Sequence, residues 1–278
     1  MVVVRRSSPV LAAAFLTVAA AGCREPVERL EWTTMGTIAA VQVRKDGAGA
    51  SAAECRDIAK AAFAEVERLM NAHDPDSELS RLASLAEEEI LARCDARMRP
   101  CYETAFRLMH ESEGAFNPRW KGASTLDLGA IAKGFAVDLA AESMHGGVGD
   151  VLLDLGGNLK PVMRDDGAGR TWKTGVTAPG GSGVAAVVDL KPGEALATSA
   201  EYFRGRHIYD GRTGKPAESG VASVTVLAGS AMLADGLSTT LFVLGPESGL
   251  AFIDKHGYSV SVLFIMKDGR EIRNDARF

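Results

Sequence analysis

The sequence predicts an α+β fold, in which helices and strands are mixed without regular βαβ alternation. A capping-box pattern at Ser51 and Glu54 opens a long stretch with helical spacing of its apolar residues. The second half of the chain carries short strand-like runs that are bounded by glycine and proline. Apolar helical stretches are scattered among these runs and do not follow each strand, which argues against a parallel α/β sheet.

The first residues have the layout of an export signal. Arg5 and Arg6 form a positively charged region, and residues 10–21 are an apolar run that ends in small residues before Cys23. The run is too short to cross a bilayer comfortably as a mature helix. A cysteine directly after small residues resembles a bacterial lipobox, although an ordinary cleaved signal with an incidental Cys23 is the alternative.

These features predict a lipoprotein signal peptide over residues 1–22, lipidation at Cys23, a tether over 23–29 and one domain over 30–278. The acyl chains would hold an otherwise water-soluble domain at the periplasmic face of the cell membrane. The net charge of −5 and the absence of a basic stripe argue against a nucleic-acid partner. Cys94 and Cys101 are able to pair across a short loop and leave Cys55 on a helix, but the odd count leaves any disulfide framework open.

Periodicity and turn residues place the elements along the chain. The predicted helices run from Ser51 to residues 71–73 and then cover 76–85, 100–113, 127–144, 230–244 and 247–255. The predicted strands cover 30–43, 150–155, 171–177, 184–190, 207–209, 221–227 and 260–266, and the last ends in a hairpin at 267–269.

The segment 127–134 reads DLGAIAKG and is the first candidate for chemistry. A helix start offers free N–H groups to an anion, glycine permits close backbone approach, and Lys133 adds a positive charge. Its spacing is neither a Walker loop nor a Rossmann fingerprint. Taken alone, the segment is better explained as a helix packed tightly on a sheet with Lys133 in solvent.

Asp235 and Thr239 lie four residues apart in an apolar helix and therefore share one face. A carboxylate and a hydroxyl are hard oxygen ligands that suit magnesium. An unpaired charge in an apolar helix is costly, and a metal ion, a cap or a salt-bridge partner would each offset that cost.

His207 stands at the end of a strand-like run, before the turn of the segment HIYDGRTGKP. A histidine there is able to act as a general base on a hydroxyl nucleophile. A lone histidine is more often structural, and the turn sequence is ordinary. The segments 75–80 (PDSELS) and 114–118 (GAFNP) are weak signals with plausible structural roles.

In this order, the segments resemble the ApbE family of FAD:protein FMN transferases. The matching pieces also include 35–37 (MGT), 155–157 (LGG), 197–199 (ATS), 223–226 (SVTV) and 234–245, so that the resemblance covers nearly the whole mature chain. It implies a single ApbE-like domain related to the T-fold. It also implies transfer of FMN from FAD to a Thr or Ser hydroxyl of a target redox protein, with release of AMP and dependence on Mg²⁺.

The resemblance also implies roles for individual residues. His207 falls where the family has its proposed general base. Magnesium would be held by the Ala130 carbonyl and the side chains of Asp235 and Thr239, with Ser238 as a further ligand. The positions where the family contacts FAD are Met35, His73, Ala115, Phe116, Asn117, Asp127, Lys133 and Tyr209.

Two other functions fit the same residues. An FAD pyrophosphatase would use the metal site to let water attack, giving FMN and AMP. A non-catalytic FAD-binding lipoprotein would serve as a store or an electron carrier. The family's acceptors carry a motif of the form Asp-x-x-Thr-Gly-Ala-Thr, and we expect a partner with such a motif.

Overall fold

The computed structural model describes residues 26–45, 49–144, 149–163, 169–181, 183–201, 205 and 207–278. Cys23 and the expected signal peptide over residues 1–22 lie outside this part of the chain. The first strand begins at Val27 and so takes up the end of the stretch 23–29 that we expected to be a tether.

The described part of the chain contains six helices, and the sequence marks the ends of only some of them. They are α1 (Ala52–Met70), α2 (Glu78–Leu82), α3 (Glu87–Arg93), α4 (Arg99–Glu111), α5 (Ala132–Ser143) and α6 (Ala231–His256). The predicted capping box is present at α1, where the Ser51 hydroxyl accepts from the Glu54 N–H and the Glu54 carboxylate accepts from the Ser51 N–H. Gly245, with φ of 75°, interrupts α6 and separates the two helices expected there.

The strands form one large sheet and two small ones. They are β1 (Val27–Thr34), β2 (Thr37–Arg44), β3 (Val151–Leu155), β4 (Asn158–Val162), β5 (Trp172–Thr177), β6 (Val184–Leu190), β7 (Ala195–Ala200), β8 (Tyr209–Asp210), β9 (Lys215–Pro216), β10 (Val221–Ala228), β11 (Ser261–Met266) and β12 (Glu271–Arg273). The large sheet has the order β1-β2-β3-β4-β7-β10-β11-β12, and its strand pairs are antiparallel. This mixture confirms the α+β class.

The large sheet is covered on both faces. On one face, the helices bury a core to which β7 contributes Ala195 and Ala197. On the other face, the β5–β6 hairpin closes a second core to which β7 contributes Leu196. Because side chains alternate along a strand, a strand covered on both sides is apolar at nearly every position. This double coverage explains why β3 is buried along its whole length.

Several predictions need correction. The helix expected over 127–144 begins only at Ala132, because the Asp127 carboxylate accepts from the Gly129 N–H and folds the preceding residues into a turn. The strand expected over 207–209 shrinks to β8, so that His207 precedes it. The sequence left the pairing of Cys94 and Cys101 open; in the structure both are free thiols, and so is Cys55. The helix α3 and the strands β4, β7 and β9 were not predicted. The strand expected over 30–43 is two antiparallel strands, β1 and β2, joined by a turn at Met35 and Gly36.

The helix α6 has the length and apolar composition of a membrane span, but 61% of its most apolar window is buried inside the fold. It packs against α5, α4, β7 and β10. It is thus the central core helix of this domain.

Candidate functional site

A cavity of about 770 Å³ opens where the β1–β2 turn, the β3–β4 turn and the first residues of α5 meet. Both turns are tight, since each has two central residues with positive φ: Met35 and Gly36 in the first, Gly156 and Gly157 in the second. A side chain at Gly156 would overlap Thr37, with its Cβ 2.6 Å from Oγ1, so the two turns pack closely. The volume lies within the range typical of small-molecule sites.

Asp235 forms the charged floor of the cavity where α5 crosses α6. Its side chain is buried, and Oδ2 accepts a hydrogen bond from the Gly134 N–H at 2.9 Å. The Lys133 ammonium lies 3.5 Å from the same oxygen. Burial raises the pKa of Asp235, although Lys133 and the Gly134 N–H act in the opposite direction. A buried carboxylate with only partial compensation is the kind of group that binds cations.

Three hydroxyl groups cluster about one helical turn along α6 from Asp235. The Ser199 hydroxyl oxygen lies 3.1 Å from that of Thr239 and 2.8 Å from that of Ser238. Ser238 is fully buried and donates to the Asp235 carbonyl oxygen, so it does not line the cavity, whereas Thr239 does. Among the described residues, no three His, Cys, Asp or Glu side chains cluster as a metal site. A metal here would depend on one carboxylate together with hydroxyl and carbonyl oxygens.

The turn before α5 forms the adjoining wall. The Asp127 carboxylate accepts from the Gly129 N–H at 2.9 Å and from the Lys121 ammonium at 2.8 Å. Burial alone would raise the pKa of Asp127, but these two donors together lower it, so the group is held as a carboxylate. Lys133 donates to the Gly129 carbonyl at 3.0 Å, which directs its ammonium along the same wall.

An aromatic wall faces that turn. Trp120 and Tyr209 stack with ring centroids 4.2 Å apart and planes inclined by 16°. Asn117 donates from Nδ2 to the Gly211 carbonyl at 3.2 Å, which ties the segment 115–117 to the turn after β8. A Cβ at Gly211 would lie 2.3 Å from the Asn117 Cβ, so this contact requires glycine.

His207 is exposed at the rim of the cavity. Its Nδ1 lies 2.8 Å from the Gly205 carbonyl oxygen. Because a carbonyl oxygen only accepts hydrogen bonds, Nδ1 carries the proton and Nε2 is left as the basic nitrogen.

The structure brings most of the expected site residues to this one cavity. Those that line it are His73, Ala115, Phe116, Asn117, Asp127, Ala130, Lys133, His207, Tyr209, Asp235 and Thr239. Met35 lies in the first tight turn and packs against the core, while its neighbours Gly36 and Thr37 line the cavity. The individual roles of all these residues, and of Ser238, stay predictions.

Seven polar or aromatic residues of the cavity wall had no predicted role: Arg29, Thr37, Trp120, Asp154, Thr177, Thr198 and Ser199. Asp154 is 3% exposed, accepts from the Gly157 N–H at 3.1 Å and lies 3.6 Å from the Arg29 guanidinium. The pKa of Asp154 is raised to about 6, chiefly by burial. Glu31 acts in the same direction, whereas the Gly157 N–H and Arg29 act against it. The signal in the sequence was an acid between two leucines of a buried strand.

This raised pKa predicts a pH-dependent stability. The folded state holds the Asp154 proton more tightly than the unfolded chain, whose carboxyl titrates near 3.8. The contribution of Asp154 is therefore complete below about pH 4 and is lost as the pH rises through about 6. Relative to Asp154→Asn, we expect the wild-type free energy of unfolding to fall by about 3 kcal/mol over this window, as measured by denaturant titration. Parallel curves for the two proteins would show that folding does not raise the pKa of Asp154.

Comparison with known proteins gives the family. The chain matches the model of the ApbE family over residues 35–125 and 119–264, which is most of its length. It is 40% identical to an FAD:protein FMN transferase of Rhodobacter capsulatus over 53% of this chain, a match that spans only 29% of that protein. It is 26% identical to the FAD:protein FMN transferase of Haemophilus influenzae over 95% of this chain and 94% of that protein.

The fold has a close counterpart among solved structures. The flavinyl transferase ApbE of Pseudomonas stutzeri, in its apo form, superimposes with a TM-score of 0.72 over 90% of this chain and 94% of its own, at 24% identity. At that identity the likeness establishes the fold, while the family match rests on the sequence. The chain belongs to the ApbE family.

Proposed function

We propose that this chain binds FAD in the cavity and transfers its FMN half to a Thr or Ser hydroxyl of a target protein, with release of AMP. The observation that carries the proposal is the meeting of the buried Asp235 carboxylate, the Lys133 ammonium and the start of α5 in one cavity of about 770 Å³. Phosphoryl-type transfer depends mainly on positioning and on neutralising charge, and these groups are suited to both. The names of the relatives, each an FAD:protein FMN transferase, support the same reaction.

The residues present fit a magnesium ion. Asp235, Thr239 and the Ala130 carbonyl offer the hard oxygen donors that magnesium prefers, and Asp235 is a buried acid with incomplete compensation. When bound, the ion would neutralise charge on the phosphate oxygens of FAD. Lys133 adds a second positive charge beside Asp235 and so favours an anionic ligand in the same place.

The reaction needs a base that takes up one proton. The hydroxyl oxygen of the target protein attacks the phosphorus on the FMN side of the pyrophosphate. The bond from that phosphorus to the bridging oxygen breaks, and AMP leaves with that oxygen. The hydroxyl proton passes to Nε2 of His207, the nitrogen that the Gly205 carbonyl leaves without a proton. The exposed position of His207 suits a group that must meet a second protein.

Replacing His207 with alanine is expected to leave FAD affinity within about twofold of wild type while transfer slows by a factor on the order of 10² to 10⁴. The physical reason is that the ring touches the acceptor hydroxyl and is not needed for the phosphate site. Flavin fluorescence measures the binding, and the rate of AMP release in the presence of acceptor measures the transfer.

His110→Ala is the matched control, since His110 is also exposed but pairs with Glu87 and does not line the cavity. It should retain the wild-type rate. A His207→Ala protein with normal transfer would remove this histidine from the mechanism, and one that fails to fold would assign it a structural role.

The reaction itself is tested by incubating the purified protein with FAD and Mg²⁺ and measuring AMP and free FMN, with and without an acceptor carrying the Asp-x-x-Thr-Gly-Ala-Thr motif. The proposal predicts AMP without an equal amount of free FMN, and only when acceptor is present. Equal AMP and FMN in the absence of acceptor would instead identify an FAD pyrophosphatase. Bound FAD that yields no AMP would identify a binding protein.

The location of the reaction is part of the proposal. Cys23 would carry the lipid anchor and would place the domain at the periplasmic face of the membrane, where we expect its target redox protein to present the acceptor segment. Metabolic labelling with a fatty acid tests this assignment, since Cys23→Ala should lose the label and leave the membrane fraction.

A further inference from the structure

One arm of the cavity lies on the face of the large sheet away from the helices. Asp154 pairs with Leu159 across β3 and β4, and Leu159 pairs with Leu196 across β4 and β7, so the three side chains form one row. All three line the cavity, and Gly175 and Val176 of the β5–β6 hairpin line it as well. Leu159, Leu196 and Val176 belong to the second core. This arm is therefore an apolar slot between a sheet and a hairpin.

Asp154 is the exception in this apolar row. It is 3% exposed, and only Oδ1 accepts a hydrogen bond within normal distance, from the Gly157 N–H at 3.1 Å. Oδ2 lies 3.6 Å from the Arg29 guanidinium, which is too far for a hydrogen bond, and Arg29 also donates to Glu31 at 2.6 Å. A buried carboxylate is costly unless its oxygens are satisfied, and a leucine at this position would continue the row. Asp154 Oδ2 and the Arg29 guanidinium therefore place a hydrogen-bond acceptor and a hydrogen-bond donor side by side at the slot.

We propose that Asp154 and Arg29 bind the pyrimidine edge of the flavin ring of FAD, with Asp154 accepting the N3–H and Arg29 donating to a neighbouring ring carbonyl. The edge presents an imide N–H beside carbonyl oxygens, and a carboxylate beside a guanidinium supplies the matching acceptor and donor. The rest of the flat tricyclic ring then lies between the apolar side chains of the slot. This inference rests on the proposed function, because it takes FAD as the ligand.

Adenine offers a similar pair, an amino donor beside a ring acceptor nitrogen. The slot favours the flavin, since its long, methyl-bearing ring is the more apolar of the two and Leu159, Leu196 and Val176 provide apolar contact along the slot. The experiment below distinguishes whether the flavin or the adenine ring of FAD binds in the slot.

The test measures the affinities of FAD and of N3-methyl-FAD for each protein by flavin fluorescence. Wild type is expected to bind N3-methyl-FAD at least tenfold more weakly than FAD, because methylation removes the hydrogen bond from N3–H to the Asp154 carboxylate. In Asp154→Leu, the two flavins should bind within twofold of each other. Glu31→Gln is the matched control, because it removes an acid that contacts Arg29 but does not line the cavity, and it should discriminate as wild type does.

The outcomes separate this inference from the proposed function. A wild-type protein that binds no FAD overturns both. Equal wild-type affinity for FAD and N3-methyl-FAD overturns only the inference. Weaker AMP binding in Arg29→Met, with no change in the response to N3-methylation, would assign the pair to adenine and also overturn it. If Asp154→Leu does not fold, Asp154→Asn takes its place. The logarithm of its ratio of dissociation constants for N3-methyl-FAD and FAD should be at most half of the wild-type value.

Discussion

Replacing Asp235 with alanine is expected to lower turnover by about a thousandfold or more and to abolish the dependence of FAD binding on magnesium. Among the residues that the structure describes, Asp235 is the one acid at the α5–α6 crossing that lines the cavity, and several kcal/mol of stabilisation of the phosphate charge would depend on it. Activity is followed by AMP release over a magnesium titration, and binding by flavin fluorescence.

The variant Asp235→Asn separates charge from hydrogen bonding. Its amide oxygen is able to accept the Gly134 N–H that Asp235 accepts now, so the helix contact survives while the negative charge is lost. We expect the same loss of activity with little loss of stability. Asp254→Ala is the control on the same helix, since Asp254 is exposed and lies outside the cavity. Normal turnover in Asp235→Asn would contradict the metal assignment.

Gly134→Ala is expected to destabilise the protein by about 3 kcal/mol or more. A Cβ at Gly134 would lie 2.1 Å from the Ala231 carbonyl oxygen and 2.8 Å from the Asp235 Cβ. Because the Ala231 atom belongs to the backbone, no rotamer change relieves the overlap and α5 must move away from α6. That movement would also break the Gly134 hydrogen bond to Asp235, so FAD affinity should fall together with stability.

The sign of the change in the free energy of unfolding in Gly134→Ala tests the close contact between α5 and α6. Glycine to alanine in an unobstructed helix raises stability by about 1 kcal/mol, so helix propensity and steric overlap predict opposite results. Denaturant titration gives the free energy of unfolding. Gly229→Ala is the control, since a Cβ there meets no atom within 4 Å. A stabilised Gly134→Ala protein would show that the two helices are farther apart than the structure places them.

Local signals predicted the parts of the fold that depend on neighbouring residues. The capping box at Ser51 fixed the start of α1, and Gly245 with Pro246 fixed the break in α6. The strand β7 was missed because its alternation of alanine with other residues gives little contrast, and its burial comes from two cores that form only in the folded state. The start of α5 was predicted too early because an Asp127 side-chain bond competes with the helix.

The candidate site was also predictable only in part, because some of its residues come together only in the folded state. Asp127, Lys133 and Asp235 stood out as charges among small or apolar residues, and the ordered set of segments linked them. Asp154 looked like an ordinary strand residue, and only its pairing with Leu159 and its distance from Arg29 reveal that it faces the cavity. Trp120 gave no signal, because its stacking on Tyr209 joins segments that are far apart in the chain.

Transfer of FMN is tested by measuring the intact mass of an acceptor protein after incubation with this chain, FAD and Mg²⁺. We expect a gain of one FMN, linked as a phosphodiester to a Thr or Ser of the acceptor motif, in an amount equal to the AMP released. The gain should be absent with Asp235→Asn and absent when the acceptor residue is changed to alanine. An acceptor of unchanged mass, in a mixture where AMP and FMN accumulate together, would contradict transfer and make the chain a pyrophosphatase.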